Sequence, residues 1–149
     1  MEPIESRSDC RSVWLEASPA QVFAAIEDPV RIARWWGPDG FTNTVHTFEF
    51  VEGGTWLLTM HGPDGKDYPN ESRFATIVQD ECVAIEHFSG HHFVLTLGLE
   101  AHGRNTLVKW RQTFDTREHY ERIASFVATA NRQNLEKLAI EVQRAKEAA

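Results

Sequence analysis

The sequence has little of what marks a nucleic-acid-binding, membrane or secreted protein. It contains no run of lysine or arginine, and its net charge is −7 at pH 7, which argues against binding to nucleic acid or to an anionic membrane surface. No stretch approaches the ~20 apolar residues of a membrane-spanning helix. The first residues show neither the basic start nor the apolar run of a signal peptide. These absences predict a cytoplasmic protein with no nucleic-acid partner and no membrane partner.

Cysteine is also scarce, with Cys10 and Cys82 as its two occurrences. Each lies among alternating apolar residues, a pattern typical of a small buried side chain, and the pair forms no metal-binding or redox motif. Two cysteines in a chain of this size indicate reduced thiols, with a disulfide between them as the alternative. Paired carboxylates at a defined spacing, a nucleophile elbow and a glycine-rich phosphate loop are missing as well, so we predict no cofactor.

What is present is ordinary for a globular protein. The chain has 149 residues, of which 42% are hydrophobic and 25% charged, and it shows no internal repeat or linker. This length and composition predict a single domain over residues 1–149.

Two adjacent tryptophans stand out. Trp35 and Trp36 come directly before a chain break at Gly37-Pro38-Asp39-Gly40, and Phe41 restarts the apolar pattern. Tryptophan is costly to leave in water, so two neighbours at a break need a shared apolar surface. They either plug the end of a core or wall a pocket.

Capping signals and periodicity predict three helices. Ser18-Pro19 and then Asp28-Pro29 each place a capping side chain before a proline at the first helical position, which predicts two short helices. Apolar residues at helical spacing predict a C-terminal helix of nearly thirty residues. We expect Asp115 to cap that helix with Glu118 as its partner.

The remaining segments predict strands. One strand is expected at about Cys10–Glu16, and turn signals at strand-like intervals between Phe41 and Phe114 indicate six more. Short connections favour antiparallel neighbours, so these six form a meander that the first strand joins at an edge. The predicted class is α+β: a curved antiparallel sheet wrapped round the long C-terminal helix, with two short helices after the first strand.

The ordered set of motifs resembles a known superfamily over almost the whole chain. The sequence is similar to the START-like, helix-grip superfamily (SRPBCC), in the branch related to the activator of the heat-shock protein 90 ATPase. The matching segments are Ala17-Ser18-Pro19-Ala20-Gln21-Val22-Phe23, Trp35-Trp36-Gly37-Pro38-Asp39-Gly40-Phe41, Gly53-Gly54-Thr55-Trp56, Met60-His61-Gly62-Pro63-Asp64-Gly65 and Trp110-Arg111-Gln112-Thr113-Phe114. The resemblance implies the helix-grip (START/Bet v-like) fold and a cavity between sheet and helix. It implies no single activity, because the superfamily includes lipid carriers, hormone receptors, cyclases and cochaperones.

The cavity that the resemblance implies needs a wall, and the candidate ligand-binding residues are mostly aromatic. Alternation along the strands, or the chain break at residues 37–40, is expected to bring them to the face of the sheet that borders the cavity. They are Trp35, Trp36, Phe41, Trp56, Met60, Tyr68, Glu71, Phe74, His87, Trp110 and Phe126. Gln112 shares the face of the last strand with Trp110. We expect one tryptophan of the pair on the core side and the other at the cavity rim, with residues 37–40 as the entrance loop. The alternative is a solid core without a cavity.

Few residues offer chemistry. A carboxylate at an apolar mouth has a raised pKa and acts as a general acid or base, which makes Glu71 a catalytic candidate. Its partner would be His87, His46 or His61; the alternative is that Glu71 is an exposed strand residue. A two-residue turn at Ser89-Gly90 would place His87 opposite His92, but zinc needs more ligands, so we predict no metal site. Asn131 and Asn134 lie near the apolar stripe of the long helix and either contact a ligand or meet water.

Three functions remain open. We favour a protein that holds a small apolar or amphipathic molecule, as a monomer or homodimer. The alternatives are an enzyme of hydrolase, cyclase or lyase type acting on a hydrophobic substrate, and a cochaperone-like module that binds a chaperone.

Overall fold

A computed structural model describes residues 2–148, which form one seven-stranded antiparallel sheet, three α-helices and a short 3-10 turn. The strands are β1 (Ser8–Leu15), β2 (Thr42–Phe48), β3 (Thr55–His61), β4 (Asp67–Val78), β5 (Cys82–His87), β6 (Phe93–His102) and β7 (Asn105–Phe114). The helices are α1 (Pro19–Glu27), α2 (Pro29–Trp35) and α3 (Arg117–Ala148).

The sheet has the predicted topology. Its strand order is β1-β7-β6-β5-β4-β3-β2, so β2 to β7 form a meander and β1 joins its β7 edge. The connections within the meander are two to six residues long, too short for the crossover that parallel pairing needs, so neighbouring strands run antiparallel. Strand β6 extends to His102, beyond the predicted Phe93–Leu97 segment, because Gly98 pairs with Lys109 and continues the ladder.

The starts of the first two helices also follow the sequence signals. The Ser18 hydroxyl accepts a hydrogen bond from the backbone N–H of Gln21 at 3.2 Å, and the Gln21 side chain accepts one from the N–H of Ser18 at 2.8 Å. The Asp28 carboxylate accepts from the N–H of Val30 at 2.8 Å. Each cap satisfies backbone donors that a helix start leaves unpaired.

The predicted cap of α3 is wrong by one residue. The hydroxyl of Thr116, not the carboxylate of Asp115, accepts a hydrogen bond from the N–H of His119, at 3.1 Å. Asp115 is engaged elsewhere, because its carboxylate lies 2.7 Å from Nδ1 of His92. Glu118 therefore has no capping-box partner at Asp115.

The core lies between the inner face of the sheet and the helices α1, α2 and the C-terminal half of α3. Trp35, Trp56 and Phe74 are its largest fully buried side chains, and the indole N–H of Trp35 donates to the carbonyl of Ala25 at 2.9 Å. Leu138 from α3 is fully buried among them. The continuous apolar packing fixes α3 on the sheet over its second half.

A buried carboxylate joins α2 to α3. Glu141 is 4% exposed and accepts hydrogen bonds from Arg31 at 2.9 Å and Arg144 at 2.7 Å. Burial acts to raise the pKa of Glu141, but the hydrogen bonds from Arg144 and Arg31 more than offset it, so the pKa lies below its ordinary value. The carboxylate is thus held ionised at neutral pH, which is how a charged group is accommodated in the interior.

The cysteines differ from the predicted buried pair. Cys10 is exposed on the outer face of β1, and Cys82 is half-buried in β5; neither is in a disulfide. Their strands are separated by β7 and β6, too far apart for a bridge. No helix within residues 2–148 is both long and apolar enough to cross a membrane.

Candidate functional site

A cavity of about 660 Å³ lies between the inner face of the sheet and the N-terminal half of α3. It exists because α3 packs on β1, β7, α1 and α2 but, over the described residues, makes no close backbone approach to β3–β6. The side chains of those strands therefore face open space over part of their length.

Apolar and aromatic side chains form most of the cavity wall. They come from the segment after α2, from β3, β6 and β7, and from α3: Trp36, Pro38, Phe41, Leu58, Met60, Phe93, Leu95, Trp110, Phe126, Val127 and Ala130. Such a lining, with a few polar groups among it, is typical of small-molecule sites.

The two tryptophans divide between core and cavity. Trp35 is 1% exposed and belongs to the core, whereas Trp36 is partly exposed and lines the cavity. The Trp36 ring lies 4.8 Å from the Trp56 ring and 6.3 Å from the Trp110 ring, measured between centroids. Consecutive residues at the end of α2 point in different directions, so one side chain seals the core and its neighbour walls the cavity.

Residues 37–40, the entrance loop, are tied to α3. Asn134 accepts a hydrogen bond from the N–H of Gly37 at 3.1 Å and donates one to the carbonyl of Trp35 at 2.9 Å. The ammonium of Lys137 donates to the carbonyl of Gly37 at 3.2 Å, and burial lowers the pKa of Lys137. Gly37 has φ +95°, a backbone conformation that residues with a side chain rarely adopt, so the turn favours glycine at this position.

The predicted ligand-binding residues fall into three groups. Seven line the cavity: Trp36, Phe41, Met60, Tyr68, His87, Trp110 and Phe126. Trp35, Trp56 and Phe74 belong to the core behind that wall. Glu71 lies elsewhere.

Glu71 is exposed on the opposite face of the sheet. Side chains alternate along β4, and the inward positions are held by Asn70, Ser72 and Phe74, so Glu71 points outward. It does not line the cavity. The structure therefore does not bring Glu71 and His87 together at one point of the cavity, and His46 and His61, the other predicted partners, do not line the cavity either.

His87 lines the cavity but has no free ring nitrogen. Its Nδ1 lies 2.7 Å from the carbonyl oxygen of His91, and its Nε2 lies 2.6 Å from Oδ1 of Asn70. Burial lowers the pKa of His87, although the hydrogen bond to the His91 carbonyl opposes this shift. These two contacts orient the His87 ring in the cavity wall, and a neutral imidazole donates its one N–H to one of the two oxygens.

The histidine hairpin also differs from its prediction. His87 pairs with Phe93, not with His92, because β5 and β6 are joined by a five-residue loop, residues 88–92, which we call the histidine loop. His92 reaches Glu86 at 2.8 Å and Asp115 at 2.7 Å. Over residues 2–148 no cluster of three or more His, Cys, Asp or Glu side chains is arranged to hold a metal ion.

Two polar wall residues were not predicted. Asn70 and Ser72 line the cavity from β4. Their positions two and four residues after Tyr68 place them on the same face of the strand, and this alternation could have identified them. Gln112, Asn131 and Asn134 also line the cavity; these three were recognised as candidates from their positions on β7 and α3. Asn131 and Asn134 are buried, so they do not meet bulk water.

Comparison with known proteins gives a family. The family model described as "Activator of Hsp90 ATPase homolog 1-like protein" matches residues 16–143, which is most of the chain. No curated protein sequence matches.

Solved structures share the fold. An NMR structure of a protein from Arthrobacter aurescens is 24% identical, with a TM-score of 0.87 over 97% of this chain and 90% of that chain. A crystal structure of a protein from Nitrosomonas europaea is 11% identical, with a TM-score of 0.86 over 97% and 99%. The AHSA1 protein from Silicibacter pomeroyi is 18% identical, with a TM-score of 0.74 over 93% and 99%. The likeness over nearly the whole chain shows the helix-grip fold that the motifs implied.

Proposed function

The chain belongs to the Activator of Hsp90 ATPase homolog 1-like family, and from that membership and the geometry of its cavity we propose that it binds a small apolar or amphipathic molecule between the sheet and α3. The observation that carries this proposal is the open space of about 660 Å³ under α3. Ligand pockets in proteins commonly have ~300–1,000 Å³.

The shape of the wall supports binding rather than a solid core. Phe126 is 67% exposed although it borders the cavity, and Tyr68 on the opposite wall is 41% exposed. Large apolar side chains left uncovered at the rim of a concavity are typical of a binding site. A molecule seated there would cover both walls and gain the free energy of that burial.

The test fills the cavity from α3. Ala130 lines the cavity and is half-buried, so Ala130→Phe places a ring in the ligand's space. The probe is N-phenyl-1-naphthylamine, an uncharged dye whose fluorescence rises in apolar surroundings. We expect saturable binding to the natural chain. The affinity of Ala130→Phe should be at least ~tenfold weaker because the new ring occupies the space of the dye, and tenfold corresponds to ~1.4 kcal/mol of binding free energy.

Thr129→Phe is the matched control, since Thr129 is the exposed neighbour of Ala130 on α3 and does not line the cavity. It adds the same ring to the same turn of the helix and should bind the dye as the natural chain does. Equal binding by both variants, or no saturable binding by the natural chain, would overturn the proposal.

A chaperone partner is the second candidate, and the description of the matching family favours it. Measuring the ATPase rate of purified Hsp90 with and without the chain tests it independently of the cavity. We infer a cytoplasmic location from the unpaired thiols of Cys10 and Cys82, which a reducing compartment would keep reduced. We propose no enzymatic role, because Glu71, the predicted acid or base, lies outside the cavity.

A further inference from the structure

A polar cluster closes the β7 side of the cavity. Asp9 is 7% exposed, is paired with Gln112 across β1 and β7, and accepts two hydrogen bonds from Arg11, at 2.9 and 3.3 Å. Asn131 from α3 is 6% exposed, and its Nδ2 donates both to Asp9 and to Oε1 of Gln112, each at 2.9 Å. We call these four residues the Asp9 cluster.

The cluster fixes the orientation of both amide groups. An ionised carboxylate only accepts hydrogen bonds, so Asn131 must turn its NH2 group towards Asp9. The same NH2 group meets Gln112, which must therefore present its oxygen to Asn131. The Nε2 group of Gln112 is left as a donor at the cavity wall, and within residues 2–148 no hydrogen-bond acceptor contacts it.

Lysine and arginine are missing from the cavity wall within the described part of the chain, and Asp67 at the rim is acidic. His87 and His91 also line the cavity, and burial lowers the pKa of His87, which favours its neutral form. Arg11 is bound to Asp9, and the Lys137 ammonium is bound to carbonyls of the entrance loop. An anion moved from water into such a space loses its hydration without gaining a counter-charge, which is costly.

We propose that the molecule held in the cavity is uncharged and carries a carbonyl-type oxygen, as in an apolar ketone, ester, amide or lactone, and that Nε2 of Gln112 donates a hydrogen bond to that oxygen. This rests on the proposed binding function. Gln112 is half-buried, and a ligand seated over it would bury its Nε2 group, so a purely apolar ligand would leave a covered donor without a partner. The absence of lysine and arginine from the described part of the wall disfavours a carboxylate. Gln112 is thus the residue that sets the chemical class of the ligand.

Three naphthalenes of similar shape test this by titration calorimetry. 2-Ethylnaphthalene has no acceptor, 2-acetylnaphthalene has an uncharged carbonyl, and 2-naphthoate carries a negative charge. We expect 2-acetylnaphthalene to bind ~tenfold more tightly than 2-ethylnaphthalene, which is the effect of about one hydrogen bond. 2-Naphthoate should bind most weakly of the three.

Two variants assign the preference to Gln112. Gln112→Met removes the donor at similar length, and Gln112→Glu keeps the acceptor for Asn131 but replaces the NH2 group with oxygen. Both should lower the affinity for 2-acetylnaphthalene to that for 2-ethylnaphthalene. Gln79→Glu, at an exposed turn, makes the same chemical change away from the cavity and should leave the preference intact.

The outcomes separate the two proposals. Equal binding of 2-ethylnaphthalene and 2-acetylnaphthalene, tightest binding of 2-naphthoate, or a ketone preference that survives in folded Gln112→Met would overturn the role of Gln112 and leave the cavity's function standing. Failure of all three compounds to bind the natural chain would overturn both. Should Gln112→Met not fold, Gln112→Glu and the ranking on the natural chain decide.

Discussion

At the scale of single residues, Asn134 does the most to join the parts of the site. It is 7% exposed and bonds the backbone on both sides of Trp36, at Trp35 and at Gly37. A side-chain amide on a helix thereby fixes the turn that separates a core tryptophan from a cavity tryptophan. Burial makes these bonds matter, because the backbone groups have no water to replace the amide.

Asn134→Ala should therefore lower the free energy of unfolding by about 2–6 kcal/mol, since it leaves a buried N–H and a buried carbonyl without partners at ~1–3 kcal/mol each. Urea titration followed by tryptophan fluorescence measures this. Gln143→Ala, on the exposed side of the same helix, should change the unfolding free energy by less than ~0.5 kcal/mol. Similar losses in the two variants would show that the Asn134 bonds do not hold the turn.

At the scale of elements, the histidine loop connects the sheet to the start of α3. His92 contacts Glu86 on β5 and Asp115 just before α3. The hydrogen bonds to Glu86 and Asp115 raise the pKa of His92, with burial opposing them. The loop is therefore held by a group that is protonated more readily in the folded chain than in the unfolded chain.

This gives a pH dependence with a defined sign. A histidine whose pKa is raised by folding contributes its full stabilisation at pH values below its pKa in the unfolded chain, ~6.5. The stabilisation is lost as pH rises through its pKa in the folded chain. The melting temperature of His92→Gln should thus fall furthest below that of the natural chain near pH ~6, and the gap should close towards alkaline pH.

Asp115→Asn should remove part of the same pH dependence of the melting temperature. The double variant with His92→Gln should lower the melting temperature by less than the sum of the two single effects. Thermal melts across the pH range measure both. A gap between the natural chain and His92→Gln that widens with rising pH would contradict the assignment.

At the scale of the whole molecule, the space between the sheet and α3 is filled by core side chains under the second half of the helix and open under the first half. Within α3, Val127 is the only buried residue before Asn131, whereas six buried residues follow between 131 and 142 within the described chain. The second half packs on the core, and the first half spans the cavity. Stability should be distributed in the same way, because local opening follows the density of buried contacts.

Hydrogen exchange should show this division directly. Amides of residues 117–130 are expected to exchange faster than those of residues 131–142, and 2-acetylnaphthalene should slow the first segment more than the second because the ligand replaces missing contacts. Mass spectrometry of peptides from the two segments measures the rates. Uniform protection along α3 without ligand would contradict the division.

Most of the fold was predictable because its signals are local. The capping sequences at Ser18 and Asp28 and the short turns of the meander fix elements and their order without reference to distant residues. The failures involve distant contacts: Thr116 caps α3, and Asp115, the predicted cap, is engaged by His92 from another loop. The histidine register failed for a related reason, since His92 is held by Glu86 and Asp115 and not by a partner strand residue.

The site was predictable only in part. Aromatic composition and alternation indicated Trp36, Met60 and Trp110 correctly, but the same signals fit Trp56 and Phe74, which lie in the core. Whether an aromatic residue lies in the cavity wall or in the core depends on where α3 stops packing against the sheet. That is a property of the tertiary structure, which no local sequence pattern predicts. The alternation of side chains along β4 would have been enough to exclude Glu71 from the cavity wall. Glu71 lies between Asn70 and Ser72 and so points to the other face of the strand.

The tether between the entrance loop and α3 has a consequence for the kinetics of exchange. Gln133, Asn134 and Lys137 hold the loop backbone through four hydrogen bonds of 3.0 to 3.5 Å, so the rim on that side is rigid. The opposite rim, near Phe126, is backed by the sparsely buried half of α3. For the proposed ligand we therefore expect the low-barrier direction of departure to lie at the Phe126 rim. We expect its residence time to depend on how often that half of the helix moves, separately from how well the wall fits the ligand.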